Sequence, residues 1–191
     1  MGLSEKDRRD GINHIVKTCR FLSGHLPVRD SVIMARADGV MDLFESPPTA
    51  SQLNNNFSYV LSKDKDDAYL ALAARLKMHE LCSRVTWSFE RALAEHLKLG
   101  EVAPVVNTMY AKHKARVDEL MERHLDDDYE MSYDDLVFVM NNYLIKDRNG
   151  TVVDRPVFFF MRTALHQQDR MEDVADMFLA FLRIRDFKNL Q

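Results

Sequence analysis

The chain has 191 residues, 46% of them hydrophobic and 29% charged, and 26 Lys and Arg against 30 Asp and Glu give a net charge of −4. Those proportions exclude a disordered or collagen-like chain and allow one or two domains that bury roughly 70% of the unfolded surface. The acidic balance argues against nucleic-acid or anionic-membrane binding through net positive charge, so neither partner is expected.

Helical periodicity dominates the chain. Ile12, Ile15, Val16, Cys19 and Leu22 recur at three- and four-residue steps, which predicts an amphipathic helix over 5–23. A second helix is expected from Asp30 to about Phe44. After the Pro47-Pro48 break, Thr49 is a candidate cap for a third running to about Leu61. The charged run 63–67 reads as a solvated turn whose carboxylates favour the helix that follows. That helix is predicted as one long element from Asp67 to Lys98, ended by Gly100, with Leu70, Ala74, Leu81, Val85, Phe89 and Leu93 as its core stripe. Pro104 opens a helix to about His124 on Val105, Met109 and Leu120, and Ser132 with Asp135 three residues on has the pattern of a capping box. Residues 143–153 interrupt the helical pattern, and Asn149-Gly150 suits a tight turn, so a small β-hairpin is predicted there. Pro156 then opens a helix over 157–167, and a last helix is predicted over 169–187. The fold class is mainly α with one small hairpin.

Site chemistry is sparse. The glycines, at 2, 11, 24, 39, 100 and 150, are too scattered for either glycine-rich phosphate loop, both of which bring backbone N–H groups close to phosphate. The seven histidines form no HExxH and no Glu-x-x-His pair, so they read as surface or packing residues and no metal site is expected. Cys19 and Cys82 allow at most one bond, and Cys82 beside Leu81 reads as a buried, inert thiol. The charged start of the chain lacks a signal-peptide core, and the densest apolar runs, 136–140 and 157–161, are far below the roughly 20 residues of a membrane span. A cytoplasmic protein is the expectation.

The second half is more specific. Tyr143-Leu144, Gly150, Val152, Asp154-Arg155-Pro156 and Met161-Arg162-x-Ala164 follow in order. This pattern resembles the N-terminal helical region of class I ribonucleotide reductase large subunits, where a Tyr-Leu strand turns through glycine into V-x-[ED]-R-P-x-x-x-[FM]-M-R-x-[AS]. Upstream, Tyr69-Leu70-Ala71-Leu72-Ala73-Ala74-Arg75-Leu76 is similar to the family's Y-x-x-L-A-A-R-[IL] helix, and Tyr133-Asp134 stands where its aromatic-acidic segment precedes the hairpin. The resemblance covers about residues 66–187. From the residues themselves, Asp154, Arg155 and Arg162 are expected to tie hairpin to helix by ion pairs and carbonyl contacts, and Arg75 to pair with a carboxylate at the core edge.

The resemblance implies two parts: a segment over 1–62 similar to a degenerate ATP-cone, and the reductase-type helical domain over 63–191. Arg8-Arg9-Asp10-Gly11 echoes the cone's basic hairpin, but no strands can be drawn around it. Thr49 to Asn54 is similar to the family's T-x-x-E-L-D with Gln and Asn for the acids. No cofactor or nucleotide is therefore carried over, and no catalytic residue is assigned. In the family the helix matching 177–187 leads into the catalytic barrel. The sequence ends at Gln191, so the resemblance implies activity only with a barrel-bearing partner chain, or a repurposed, non-catalytic paralogue. Phe181, Ile184 and Phe187 are the expected exposed partner surface.

Overall fold

A computed structural model describes residues 2–184 and Phe187. Its described residues are all-α, and they divide into two units, Met1–Glu80 and Leu81–Gln191.

The first unit is built on α1 (Glu5–Ser23), α2 (Asp30–Met41), α3 (Ala50–Leu61) and most of α4 (Asp67–Cys82). Ser4 caps α1 by accepting the Asp7 N–H, and Thr49 with Gln52 forms a reciprocal capping box on α3. α1 packs on α2 and α3, burying Ile15, Cys19, Ile33, Ala37, Phe57 and Leu61. The Arg8–Gly11 stretch that echoes a basic hairpin lies inside α1. There Arg8 pairs with Asp38 of α2 (2.6 Å) and with Asp42 just past its end (2.8 Å). A Cβ at Gly11 would stand 2.6 Å from the Met41 side chain, so the glycine permits the close α1–α2 approach.

The single helix expected over 67–98 is two: α4 and α5 (Phe89–Leu99). Between them Ser and Thr side chains replace helical hydrogen bonds. Thr86 Oγ1 accepts the Ser88 N–H (3.2 Å), and Ser88 Oγ accepts the Arg91 N–H (3.3 Å), capping α5. Gly100 ends α5 in the left-handed conformation, φ 79°, with the Glu101 N–H reaching back to His96 O.

The second unit adds α6 (Pro104–His124), a 3-10 turn (Asp127–Glu130), α7 (Tyr133–Asn142), α8 (Pro156–Gln167) and α9 (Met171–Leu182). α8 is central, packing on α6, α7, α9 and the 3-10 turn through Val157, Phe158, Phe160, Met161 and Leu165. Burying side chains of this size contributes about 1.5–3 kcal/mol each.

The hairpin is not formed. One antiparallel bridge, Lys146 to Val152, is all the pairing among the described residues of 143–153. Tyr143 still closes α7 through its N–H to Val139 O, and the Ile145 N–H goes to the Asp154 carboxylate instead of a strand. Inside the loop, Asp147 Oδ1 takes the N–H groups of Asn149 (2.8 Å) and Thr151 (2.9 Å), while Gly150 adopts φ 78°. The side chain thus reinforces a turn whose bridge is held by two backbone bonds, Asp147 N–H to Thr151 O (2.8 Å) and Val153 N–H to Ile145 O (3.0 Å), and does not extend into a ladder. At α7, Ser132 Oγ accepts the Asp135 N–H as expected of a cap. The Asp135 side chain returns to the cap through the Ser132 hydroxyl rather than the Ser132 backbone N–H: Asp135 Oδ2 accepts the Ser132 O–H (2.7 Å), and Oδ1 accepts the Phe187 N–H (2.8 Å).

Candidate functional site: buried ion pairs beneath an open cleft

Two ion pairs grow from the residues that enter α8. Arg155 precedes Pro156 and is therefore held extended, φ −121° and ψ 148°, with Pro156 as the first helical residue. This places Asp154 and Arg155 at a fixed point on the helix start. Arg155 is fully buried. Its Nε donates to Asp128 Oδ2 (2.9 Å) and its Nη2 to Leu125 O (2.6 Å). Its guanidinium lies 4.7 Å from the Trp87 ring centroid and 5.7 Å from that of Phe158. Nη1 is buried without a hydrogen-bond partner among the described residues.

Asp128 serves two neighbours. Besides Arg155, it accepts the Val157 N–H on Oδ1 (2.8 Å), one of the open donors of the first turn of α8. Burial pushes its carboxyl up to about 7, against the pull of Arg155 and of that N–H.

The second pair is bidentate. Arg162 Nη1 donates to Asp154 Oδ1 (2.8 Å) and Nη2 to Oδ2 (2.6 Å). Asp154 also accepts the N–H groups of Arg155 (2.9 Å) and Ile145 (3.3 Å), so one buried carboxylate receives four donors. Beside it, His96 Nε2 lies 3.1 Å from Val153 O and Nδ1 lies 3.4 Å from Arg162 Nη1. These partners place the proton on Nε2, which donates to the carbonyl, and leave Nδ1 to accept. Burial holds the His96 pKa below the usual histidine value; Asp154 pulls the other way and Arg162 adds to the depression. The imidazole is accordingly neutral near pH 7.

Arg162 reaches the floor of an open cleft of about 630 Å³. Its other walls include Glu101, Val106, Tyr143, Lys146, Phe159 and His166. Tyr143, 41% exposed, stacks on Phe159 with centroids 5.3 Å apart and planes 15° from parallel.

The other residues singled out in the sequence fall elsewhere. In the first unit, Tyr69 OH accepts the Arg29 N–H (3.1 Å), and Arg75 Nη1 donates to the carbonyls of Leu22 and Ser23 (both 3.1 Å) at the end of α1. Met161 is fully buried in α8. Phe181 and Ile184 are half-buried, but Phe187 is not exposed as expected. It is buried at 6% exposure, with its ring stacked on Phe160 at 5.3 Å and its N–H held by Asp135. Phe160 also stacks on Phe181 at 5.7 Å. His96 and Asp128 escape the sequence reading. His96 carries one signal, falling seven residues after Phe89 on the same α5 face, whereas Asp128 looks like any loop acid.

Among the described residues, no three or more His, Cys, Asp or Glu side chains converge as a metal site. No described helix is long and apolar enough to cross a membrane. Burial pushes the Cys82 thiol up to about 11 and Cys19 up to about 12, which leaves both in the unreactive protonated form near pH 7.

The fold and this cluster thus define an all-α chain whose second unit is pinned by two buried arginine–aspartate pairs. No known family's sequence model matches it. Over 99 residues it is 29% identical to the ribonucleoside-diphosphate reductase large subunit of African swine fever virus, strain Badajoz 1971 Vero-adapted. It is also 29% identical over 99 residues to the same subunit of the isolate Tick/South Africa/Pretoriuskop Pr4/1996. Each match covers 51% of this chain and 12% of the viral protein. The chain therefore carries a region distantly related to reductase large subunits and spans a small part of their length.

Proposed function

We propose that this chain acts as the N-terminal-type helical domain of a ribonucleoside-diphosphate reductase large subunit, contributing to deoxyribonucleotide synthesis together with a barrel-bearing chain. The observation that carries this reading is the 29% identity to two viral large subunits over half of the chain. The ordered motifs around Tyr143, Gly150, Arg155–Pro156 and Met161–Arg162 support it. In this role the buried pairs Arg155–Asp128 and Arg162–Asp154 hold the start of α8 and the loop before it in one arrangement, a rigid base for a partner. Phe181 and Ile184, half-buried at and just beyond the end of α9, are the proposed partner contacts. No residue of the chain is assigned a step in the reduction.

The test is affinity purification of the tagged full chain from its source cell, with partners identified by mass spectrometry and the eluate assayed for ribonucleoside-diphosphate reduction. A barrel-bearing reductase chain in the eluate, with reduction that requires both chains, is the expected result. Capture of other proteins with no reductase component would overturn the reading in favour of a repurposed, non-catalytic paralogue.

A further inference from the structure

The cleft in the second unit has an unused recognition element at its floor. Arg162 is 7% exposed, and its guanidinium is fixed from behind: Asp154 takes Nη1 and Nη2, and His96 Nδ1 faces Nη1. A guanidinium has five N–H donors in a planar fork. The Asp154 pair occupies the end of the fork. The side formed by Nε–H and the second Nη2–H has no partner among the described residues, although Arg162 lines the cleft. That side has the spacing to receive a carboxylate through two parallel bonds.

The walls supply the remaining features of a site. Lys146 brings an exposed ammonium and His166 an exposed imidazole to the lining, against one lining carboxylate, Glu101. Lys146 Nζ rests on Asn141 O (3.1 Å), which leaves further N–H donors on the ammonium. Tyr143 is stacked on Phe159 and meets Phe138 in a T-shaped contact with centroids 5.9 Å apart, yet the residue remains 41% exposed on the cleft wall, where a second flat ring can lie against it. A volume of about 630 Å³ is in the range of small-molecule sites, roughly 300–1,000 Å³.

We infer that this cleft binds a ligand that bears both a carboxylate and a planar aromatic ring, with the carboxylate on the open side of the Arg162 fork and beside Lys146, and the ring against Tyr143. This inference is independent of the reductase reading, because it rests on the second unit's own side chains. Two sources share the chemistry: a free aromatic acid, and the C-terminal aromatic residue of a polypeptide.

The test is NMR titration of the full-length protein with benzoate, following backbone amides and the Arg162 Nε–H. Saturable shifts at Arg162, Tyr143 and Thr163 with a Kd of about 1 mM or tighter are expected. Cyclohexanecarboxylate, which keeps the charge and loses the flat ring, is expected to bind about five-fold more weakly. The exposed substitutions Lys146→Gln and Tyr143→Leu are each expected to weaken benzoate by about five-fold while the spectrum stays folded. N-acetyl-phenylalanine separates the sources: binding tighter than benzoate assigns the site to a chain terminus, and weaker binding assigns it to a free acid. Absence of saturable shifts, an unmoved Arg162 Nε–H, or binding indifferent to both substitutions would overturn the inference.

Discussion

Asp154, just before α8, and Arg162, eight residues on in the second turn of that helix, face each other through two parallel hydrogen bonds of 2.8 and 2.6 Å that the arginine donates. The carboxylate is fully buried. Removing the arginine leaves a buried charge with only two backbone N–H donors. Arg162→Ala is expected to cost about 3–5 kcal/mol in urea denaturation. The double variant Arg162→Leu with Asp154→Leu is expected to recover a good part of that, because no uncompensated charge remains. Equal losses in the single and double variants would show that packing, rather than charge pairing, governs this site.

Asp128 joins the 3-10 turn to the start of α8 by accepting from Arg155 Nε and from the Val157 N–H at once. Asp128→Ala deletes both acceptors and is expected to cost about 3–5 kcal/mol, whereas Asp128→Asn keeps an acceptor and costs less. Trp87 is the chain's one tryptophan and lies over Arg155, so its emission reads this contact directly. The Ala variant is expected to shift Trp87 emission under native conditions. An unchanged spectrum would mean that the guanidinium keeps its place without Asp128.

The α character of the chain was legible because its signals are local. Ser4, Thr49 and Ser132 accept first-turn N–H groups, and Pro104 and Pro156 occupy first helical positions. The break after Cys82 was not, since Ser83–Ser88 contains no proline or glycine and the periodicity runs on through Val85 to Phe89. The side-chain bonds of Thr86 and Ser88, visible in three dimensions, mark where the helix gives way and α5 begins. The site follows the same division. Asp154 and Arg162 are eight residues apart across one helix start, within reach of spacing arguments. Asp128 meets Arg155 across 27 residues, and His96 meets Arg162 across 66, distances that no local pattern encodes.

Acid sensitivity should carry the mark of His96. Its folded pKa lies below the unfolded value of about 6.5, so under acid the unfolded chain binds more protons. The stabilising contribution is full above about pH 6.5 and is lost as pH falls through the lowered value. Asp128 works in the opposite sense: its raised pKa makes its contribution full below the unfolded carboxylate value and lost as pH rises through about 7. Comparing each variant with the parent separates them. Between about pH 7.5 and about pH 5, His96→Gln is expected to lose less stability than the parent and Asp128→Asn more. Identical pH slopes in all three proteins would sink the assignment.

Gly150 adopts φ 78° in the loop before α8, and nothing lies within 4 Å of where its Cβ would be. The cost of a side chain there is therefore conformational. Gly150→Ala is expected to lose about 1–2 kcal/mol, and Gly150→Asn less, since asparagine tolerates the left-handed region. Equal losses for the two would point to a steric cause that the open surroundings do not contain.

Phe187 and Ile184 separate packing from docking beyond the end of α9. The Phe187 ring lies 5.3 Å from Phe160 and only 4° from parallel, and its N–H is anchored on Asp135. A charge introduced at a site this enclosed has no partner, so Phe187→Asp is expected to destabilise the monomer by about 3 kcal/mol or more. Ile184 is half-buried, and Ile184→Asp is expected to cost about 1 kcal/mol or less. The consequence concerns the proposed partner contact. Loss of a reductase chain from the affinity eluate in Ile184→Asp, with the thermal melt of the monomer within a few degrees of the parent, would locate the interface at this end of α9. The same loss in Phe187→Asp alone would report only unfolding, and full retention by Ile184→Asp would move the interface elsewhere.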